Sequence, residues 1–278
     1  MAPLVSVVIP TFNRLEWLHE AVQSVRAQTL TDWELLVVDD GSTDGTGKWL
    51  ARLGEPRLRY LRQDHTASIA ATRNAGVRNA QGAWIAFLDS DDRWREDKLA
   101  RQLARLRDRP DARWCYTKYQ LIGPGGVAVS QPHGSPWHPF EGSFVDRILT
   151  TEAAVLMPTL LLPADLARRL PFDERLPLAE DYDLALRLAA AAPGCVIDTV
   201  LVDVRLHERR TTALAGPFDG CFGKIVAYRK AARTLTDQRS RAIARRRLRS
   251  HLAEFLRRAL RYGAIGQIVR VTLALMRP

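Results

Sequence analysis

The 278-residue sequence predicts an α/β protein: a mainly parallel sheet flanked by helices, followed by a helical, basic C-terminal extension. Three observations lead there. Short, fully apolar runs recur (VSVVIP at 5–10, ELLVV at 34–38, WIAFL at 84–88), and strands buried on both faces of a parallel sheet have that composition. Between them, apolar residues recur at helical spacing, so strand and helix alternate. Finally, residues 238–278 hold eleven arginines and one glutamate, which accounts for the net charge of +10 and leaves residues 1–237 neutral. The basicity therefore belongs to the tail.

In order, 5–10 is the first strand. Asn13 is placed to cap a helix whose inner face is Leu15, Leu18, Val22 and Val25, running to about Ala27. The second strand, 34–38, ends in Asp39-Asp40-Gly41-Ser42, a carboxylate pair on a tight turn. Asp44 can cap a short helix with Trp49, Leu50 and Leu53 inside. A third strand is expected at 58–61 and an alanine-rich helix, carrying Arg73 and Asn74, at 68–80. The strand 84–88 then runs into Asp89-Ser90-Asp91-Asp92. In a parallel sheet, ligands bind outside the carboxyl ends of the strands. Thr11, Asp39, Asp40 and the acidic run 89–92 all fall there. An Asp-x-Asp at such a place presents hard oxygen ligands suited to Mg²⁺ or Mn²⁺. Asp92 serves either as a partner behind the metal ligands or, the preferred reading, as a cap for the helix suggested by Leu99, Leu103 and Leu106.

The stretches VSVVIPTFNR, ELLVVDDGSTDGT, TRNAGVRNAQG and AWIAFLDSDDRW, in this order and spacing over residues 4–98, resemble the nucleotide-sugar-binding half of glycosyltransferase family 2, which has the GT-A fold. The resemblance implies a nucleoside diphosphate sugar donor, a divalent metal (Mn²⁺ or Mg²⁺) at the Asp-x-Asp, and transfer with inversion to a hydroxyl of a glycan or lipid-linked acceptor. It implies that Asp40 reads the base, with Pro10, Thr11 and Asp39 alongside. Arg73 would assist the nucleotide or its phosphates, Asp89 would lie near the ribose, and Asp91 would be the principal metal ligand. UDP is the favoured donor nucleotide; GDP and dTDP differ by contacts too fine to read from sequence.

Beyond residue 108 the pattern changes. A strand at 114–122, a Gly-Pro-Gly-Gly turn at 123–126 and a return strand at 127–129 lead into a proline-rich loop, 131–142, with His133 and His138. A short helix at 144–149, a strand at 159–162 and a helix at 164–170 follow. Glu180, Asp181 and Asp183 open a leucine-rich helix, where the helix dipole favours negative charge. The resemblance goes further: it makes Asp181 the general base and Glu180 its support or an acceptor contact. After an apolar strand at 196–204, His207 either completes the metal sphere or is a solvated loop histidine, and 208–217 would form a flap over the donor. The expected domains are a catalytic domain, 1–218, made of a donor half (1–108) and an acceptor half (109–218), and a basic helical extension, 219–278. In the extension Leu248, Leu252, Phe255 and Ala259 share one face. Arg246, Arg247, Arg257, Arg258 and Arg261 lie opposite, with Arg245 at the edge of the apolar face. Such a helix either packs on the domain with solvated arginines or lies on an anionic membrane.

Several classes find little support. Three scattered cysteines make neither a disulfide framework nor a zinc pattern and suit a reducing compartment. The apolar start, MAPLVSVVIP, lacks a basic leader and reads as a strand. The expected location is thus cytoplasmic, or peripheral on the inner face of the membrane. A sugar-phosphate nucleotidyltransferase is the nearest other enzyme, but it needs a glycine-rich loop after the first strand, and TFNRLEW has none. A non-catalytic anion- or membrane-binding protein acting through the arginine tail is the remaining alternative. No nucleic-acid module is present, so no nucleic-acid partner is expected.

Overall fold

The computed structural model describes residues 2–130, 139–142, 144–150, 155–210 and 216–276. His133, His138 and residues 211–215 of the expected flap lie outside them. Among the described residues, eight strands form one sheet: β1 Val5–Thr11, β2 Trp33–Asp39, β3 Leu58–Arg62, β4 Trp84–Phe87, β5 Arg93–Trp94, β6 Trp114–Ile122, β7 Leu161–Pro163 and β8 Gly194–Arg205, in the order β3-β2-β1-β4-β7-β6-β8-β5. The donor-side strands β3, β2, β1 and β4 are mutually parallel, whereas β7 runs antiparallel between β4 and β6. The sheet is therefore mixed across its second half.

The helices are α1 Leu15–Arg26, α2 Thr46–Arg52, α3 Ile69–Asn79, α4 Lys98–Asp108, α5 Val145–Leu149, α6 Ala164–Arg169, α7 Glu180–Ala191, α8 Asp219–Thr234, α9 Gln238–Arg261 and α10 Ile265–Met276. Alternation along the strands splits the core between two faces. Val7, Ile9, Leu35 and Val37 pack with Leu18, Val22 and Leu99 of α1 and α4. Val8, Leu36, Val38 and Phe87 pack on the other face with residues of α3, α5, α6 and α7. Truncating one of these, such as Leu36→Ala, should cost roughly 2–5 kcal/mol. The second cluster also contains Ala227, Tyr228, Ala231 and Ala244, so α8 and the start of α9 belong to the main core. Packing runs on past residue 218. A third, smaller cluster of Phe218, Phe222, Ile225, Phe255, Ala259 and Val271 joins α8, α9 and α10.

Four local expectations change. Asn13 is not a helix cap: its φ is +50°, its N–H donates to Ser42 Oγ at 2.8 Å and its Oδ1 accepts from Thr43 N at 2.8 Å. Asp44 takes over at α1, accepting Leu15 N at 2.9 Å, while its other oxygen accepts Thr46 N at the start of α2. The return strand at 127–129 shrinks to one bridge, Ile122 to Ala128. The strand expected at 159–162 begins as a 3-10 turn, Met157–Thr159, before β7. Arg247, expected on the solvated side of α9, donates to the carbonyls of Leu149 and Thr150 at 3.0 and 2.8 Å.

Candidate active site at the carboxyl ends of the parallel strands

β1 and β2 are in register from Val5–Trp33 to Thr11–Asp39, so their acidic and polar ends emerge together. Pro10 lies opposite Val38, inside the strand pair. Asp39 is fully buried. Its Oδ1 accepts Ser42 N at 2.8 Å and its Oδ2 accepts Tyr60 Oη at 2.6 Å, with Arg62 Nη1 at 3.5 Å. Its carboxylate shapes the turn through these contacts. Asp40 is buried as well. It accepts from Gln63 Nε2, Thr66 N, Thr66 Oγ1 and Ala67 N at 2.7–3.0 Å. Burial pushes its pKa up, but these hydrogen bonds outweigh it and hold the carboxyl below the usual range. His65 also reaches Asp40, and the half-exposed Phe12 ring stacks on His65 with centroids 4.0 Å apart. This stack carried no sequence signal, since one aromatic in a loop has no periodicity to mark it.

The acidic turn follows β4. Asp91 Oδ2 lies 2.8 Å from His207 Nε2, a contact between residues 116 positions apart. His207 packs against Trp17 of α1, with ring centroids 4.0 Å apart. Asp92 does not cap α4, which starts at Lys98. It is buried, and its Oδ1 accepts Arg205 N at 2.8 Å. The Arg205 side chain, fully buried, donates to the carbonyl of Asp91 at 2.9 Å and to Glu20 at 2.7 Å. The end of β8 thus grips the acidic turn at both Asp91 and Asp92, a role the expected strand boundary at 204 left unseen. On the other side of His207 lies a cavity of about 820 Å³, lined by Trp17, Pro124, Leu206, His207, Arg209 and Arg210 among others; the acidic turn itself does not line it. Arg14 bonds the Arg209 carbonyl, and Arg209 Nη2 donates to Asn13 O at 2.9 Å, so residues after His207 are tied to the loop after β1.

Arg73 joins the two halves. Gly76 of α3 sits so close to β1 that a Cβ would lie 2.3 Å from Val8 Cγ1, and this seats Arg73 deep beneath the crevice. Its Nη2 donates to Asp89 at 2.7 Å and its Nη1 to Glu180 at 2.8 Å. Burial works against the cation, yet Asp89 and Glu180 together raise its pKa. Glu180 is pushed up to about 7 by burial and by its neighbour Asp181, despite Arg73. Burial likewise raises Asp89 and Asp92, aided in each by nearby carboxylates. Asp181 is half-buried, and one of its oxygens accepts Tyr182 N at 2.7 Å.

Asp89, Asp91, Glu180 and Asp181 thus converge although they lie on different elements, and mutually repelling carboxylates of this kind mark functional sites. Five buried side-chain polar atoms lack a partner among the described residues. Three of them, Thr11 Oγ1, Arg73 Nε and His207 Nδ1, belong to this crevice. The three non-glycine residues with positive φ among the described residues, Asn13, Ala67 and Ala179, sit on three of its loops. No group of three or more His, Cys, Asp or Glu among the described residues is arranged to enclose a metal. The side chains that could contribute to a metal here are the Asp91 carboxylate and the His207 imidazole in contact with it.

A family model described as Glycosyl transferase family 2 matches residues 6–155. An uncharacterized glycosyltransferase of Rickettsia felis is 34% identical over 209 residues, covering 75% of this chain and 34% of that relative. The UDP-Glc:alpha-D-GlcNAc-diphosphoundecaprenol beta-1,3-glucosyltransferase WfgD of Escherichia coli is 33% identical over 124 residues, 45% of this chain and 49% of that protein. The chain thus spans between a third and a half of the length of these two relatives. Among solved structures, S. aureus TarS 1-349 in complex with UDP-GlcNAc superposes with a TM-score of 0.72 at 22% identity, covering 93% of this chain and 73% of that one, a likeness of fold.

Proposed function

Since the chain belongs to glycosyltransferase family 2, with the GT-A fold, we propose that it transfers a sugar, with inversion, from a nucleoside diphosphate donor to a hydroxyl of a glycan or lipid-linked acceptor. The observation that carries this reading is the meeting of the acidic turn, Asp89–Asp92, with the start of α7 through Arg73. It supports the reading because it links the residues read as the donor side to those read as the general-base side. UDP is the preferred donor nucleotide, supported by the UDP donor in WfgD's name and the UDP-GlcNAc bound to TarS. WfgD's diphosphoundecaprenol acceptor likewise supports a lipid-linked acceptor and a place in cell-envelope polysaccharide synthesis.

In this reading Asp40, with Pro10, Thr11 and the Phe12–His65 stack, borders the nucleoside, and Asp89 lies toward the ribose. Arg14, Arg209 and Arg210 line the diphosphate side. Asp91, with His207, would hold Mn²⁺ or Mg²⁺, which offsets the negative charge of the departing diphosphate. Asp181 takes the proton of the acceptor hydroxyl as that oxygen bonds to the anomeric carbon. The bond from that carbon to the diphosphate oxygen breaks on the opposite face, and the diphosphate leaves with the electron pair. Glu180, held by Arg73, supports Asp181.

The test is thermal melting against a panel of nucleoside diphosphates and their sugars, with and without Mn²⁺. A ligand that binds the native state raises the melting temperature. One diphosphate should shift it in a Mn²⁺-dependent manner in the wild type and not in Asp91→Ala. A shift of equal size in Asp91→Ala would remove Asp91 from the metal site, and no shift with any donor would remove the donor reading.

The proposed location is cytoplasmic, with contact at the inner face of the membrane. No helix among the described residues is long and apolar enough to cross a bilayer. Contact is supported by α10, whose outward Ile265, Val269, Leu273 and Met276 are each more than half exposed beside Arg257 and Arg261 of α9. Sedimentation with anionic but not zwitterionic vesicles, lost in a Val269→Ser/Leu273→Ser variant, would support it. Equal sedimentation of wild type and variant would refute it.

A further inference from the structure

The C-terminal helices look from sequence like an appendage, yet α8 touches the start of α7 at its most exacting point. A Cβ placed on Gly223 would lie 2.0 Å from the carbonyl oxygen of Leu178 and 2.9 Å from Ala179 Cβ, distances no side chain can occupy. Leu178 and Ala179 directly precede Glu180, and Ala179 has a φ of +65° that turns the chain into the helix. A glycine inside a helix costs about 0.5–1 kcal/mol relative to alanine. Here it lets α8 rest its backbone on the peptide that presents Glu180 and Asp181. Two further contacts fix α8 along α7. Tyr228, fully buried, meets Tyr182 edge-on with the hydroxyls 3.3 Å apart. Lys230 Nζ spans Asp183 at 3.0 Å and Asp173 at 2.6 Å.

We infer that α8 is a working part of the active site, and that Gly223 is a positioning residue that sets where Asp181 and Glu180 stand, with Lys230 as the second anchor. This rests on the reading of Asp181 as the base. A side chain at Gly223 would have to open the 2.0 Å approach to at least 3.0 Å, a shift of about 1 Å that moves the Leu178–Ala179 peptide and, with it, the first turn of α7. The other donor contacts lie on other elements, and Arg73, held by Asp89 as well as by Glu180, is the one link between them and α7.

The experiment compares Gly223→Ala with Gly220→Ala, whose added Cβ meets its nearest neighbour, Leu178 Cδ1, at an ordinary 3.9 Å. A third variant, Leu106→Ala, destabilises a remote part of the core. Turnover is followed as release of UDP from the UDP-sugar selected by the melting panel, and amide hydrogen exchange is followed over 179–183. Gly223→Ala should lower kcat at least tenfold while donor KM and the donor-induced melting shift stay within about twofold, and exchange at 179–183 should quicken. Gly220→Ala and Leu106→Ala should leave kcat and that exchange as in the wild type. If Gly223→Ala does not fold, Lys230→Met should show the same pattern more weakly, and Lys230→Arg should restore it. Unchanged kcat and exchange in Gly223→Ala, or an equal kcat loss in Leu106→Ala, would overturn the inference. The two readings separate cleanly. If Asp181→Asn keeps transfer while exchange still responds to Gly223→Ala, the base assignment fails and the α8 contact stands. If Asp181→Asn loses transfer while Gly223→Ala changes nothing, only the α8 inference fails.

Discussion

At the amino ends of β1 and β2, Glu34 accepts from Ser6 Oγ and Gln81 N at 2.6 Å each and pairs with Arg59 at 3.0 Å, while Ser6 Oγ accepts Gly82 N at 2.8 Å. At the carboxyl ends of the same strands and of β4 stand Asp40, Asp89, Asp91 and Asp92, and Asp89 meets Glu180 through Arg73. Each end buries at least one carboxylate that is paired with an arginine. At the first, one acid meets one base and each oxygen has a donor; at the second, several carboxylates share few cations, and Thr11, Arg73 and His207 keep unpartnered buried atoms. Burial of charge therefore does not distinguish a site from a structural pin. Excess charge of one sign and unfilled hydrogen-bonding capacity do.

Three perturbations test the contrast, from the largest effect down. Asp181→Asn should reduce transfer by about 10²–10⁴-fold, the usual contribution of a general base, with the donor-induced melting shift preserved. Transfer that persists would remove Asp181 as the base. Glu34→Gln should do the reverse: a loss of roughly 1–3 kcal/mol in denaturant unfolding, from one broken charged hydrogen bond, with kcat of the folded enzyme unaltered. A fall in kcat there would dissolve the distinction between the two ends. The pH dependence should be gentler. Glu180 rises from an ordinary 4.5 to about 7, so the native state binds more protons than the unfolded chain between those values. This contribution to stability is complete below pH 4.5 and is lost as pH rises through 7. Glu180→Gln should flatten the slope of unfolding free energy over that interval; an unchanged slope would mean Glu180 does not titrate there.

Much of this was legible in the chain. The apolar runs gave the parallel strands, and the acidic turns at their ends located the crevice, because strand direction fixes which end the following loop leaves from. The meeting of Asp91 with His207 was one of two open readings of that histidine, and the bridge from Asp89 through Arg73 to Glu180 was not legible at all. Each links residues far apart in sequence, and spacing carries no record of such contacts. Asp39 and Asp40 are neighbours on one turn and both are buried, but the first is held by Ser42, Tyr60 and Arg62 and the second by Gln63, Thr66 and Ala67, partners that sequence spacing does not show. Asn13 has a capping side chain, but its positive φ commits it to bracing two loops, and Asp44 from the next turn serves α1 instead. Gly223 gave no hint of its importance, since a glycine in a weakly patterned helix reads only as a flaw until its neighbour is seen.

The left-handed backbone at Ala67 and Ala179 has a practical consequence. Alanine holds that conformation at a cost of roughly 1–2 kcal/mol that glycine escapes. Replacing either alanine with glycine relieves that strain, and both flank the reactive crevice. The simplest route to a hardier protein therefore runs through the loops whose shape its activity depends on. A laboratory selection for heat resistance alone would be drawn to these loops, and screening for turnover alongside melting would show which of the two properties it had improved.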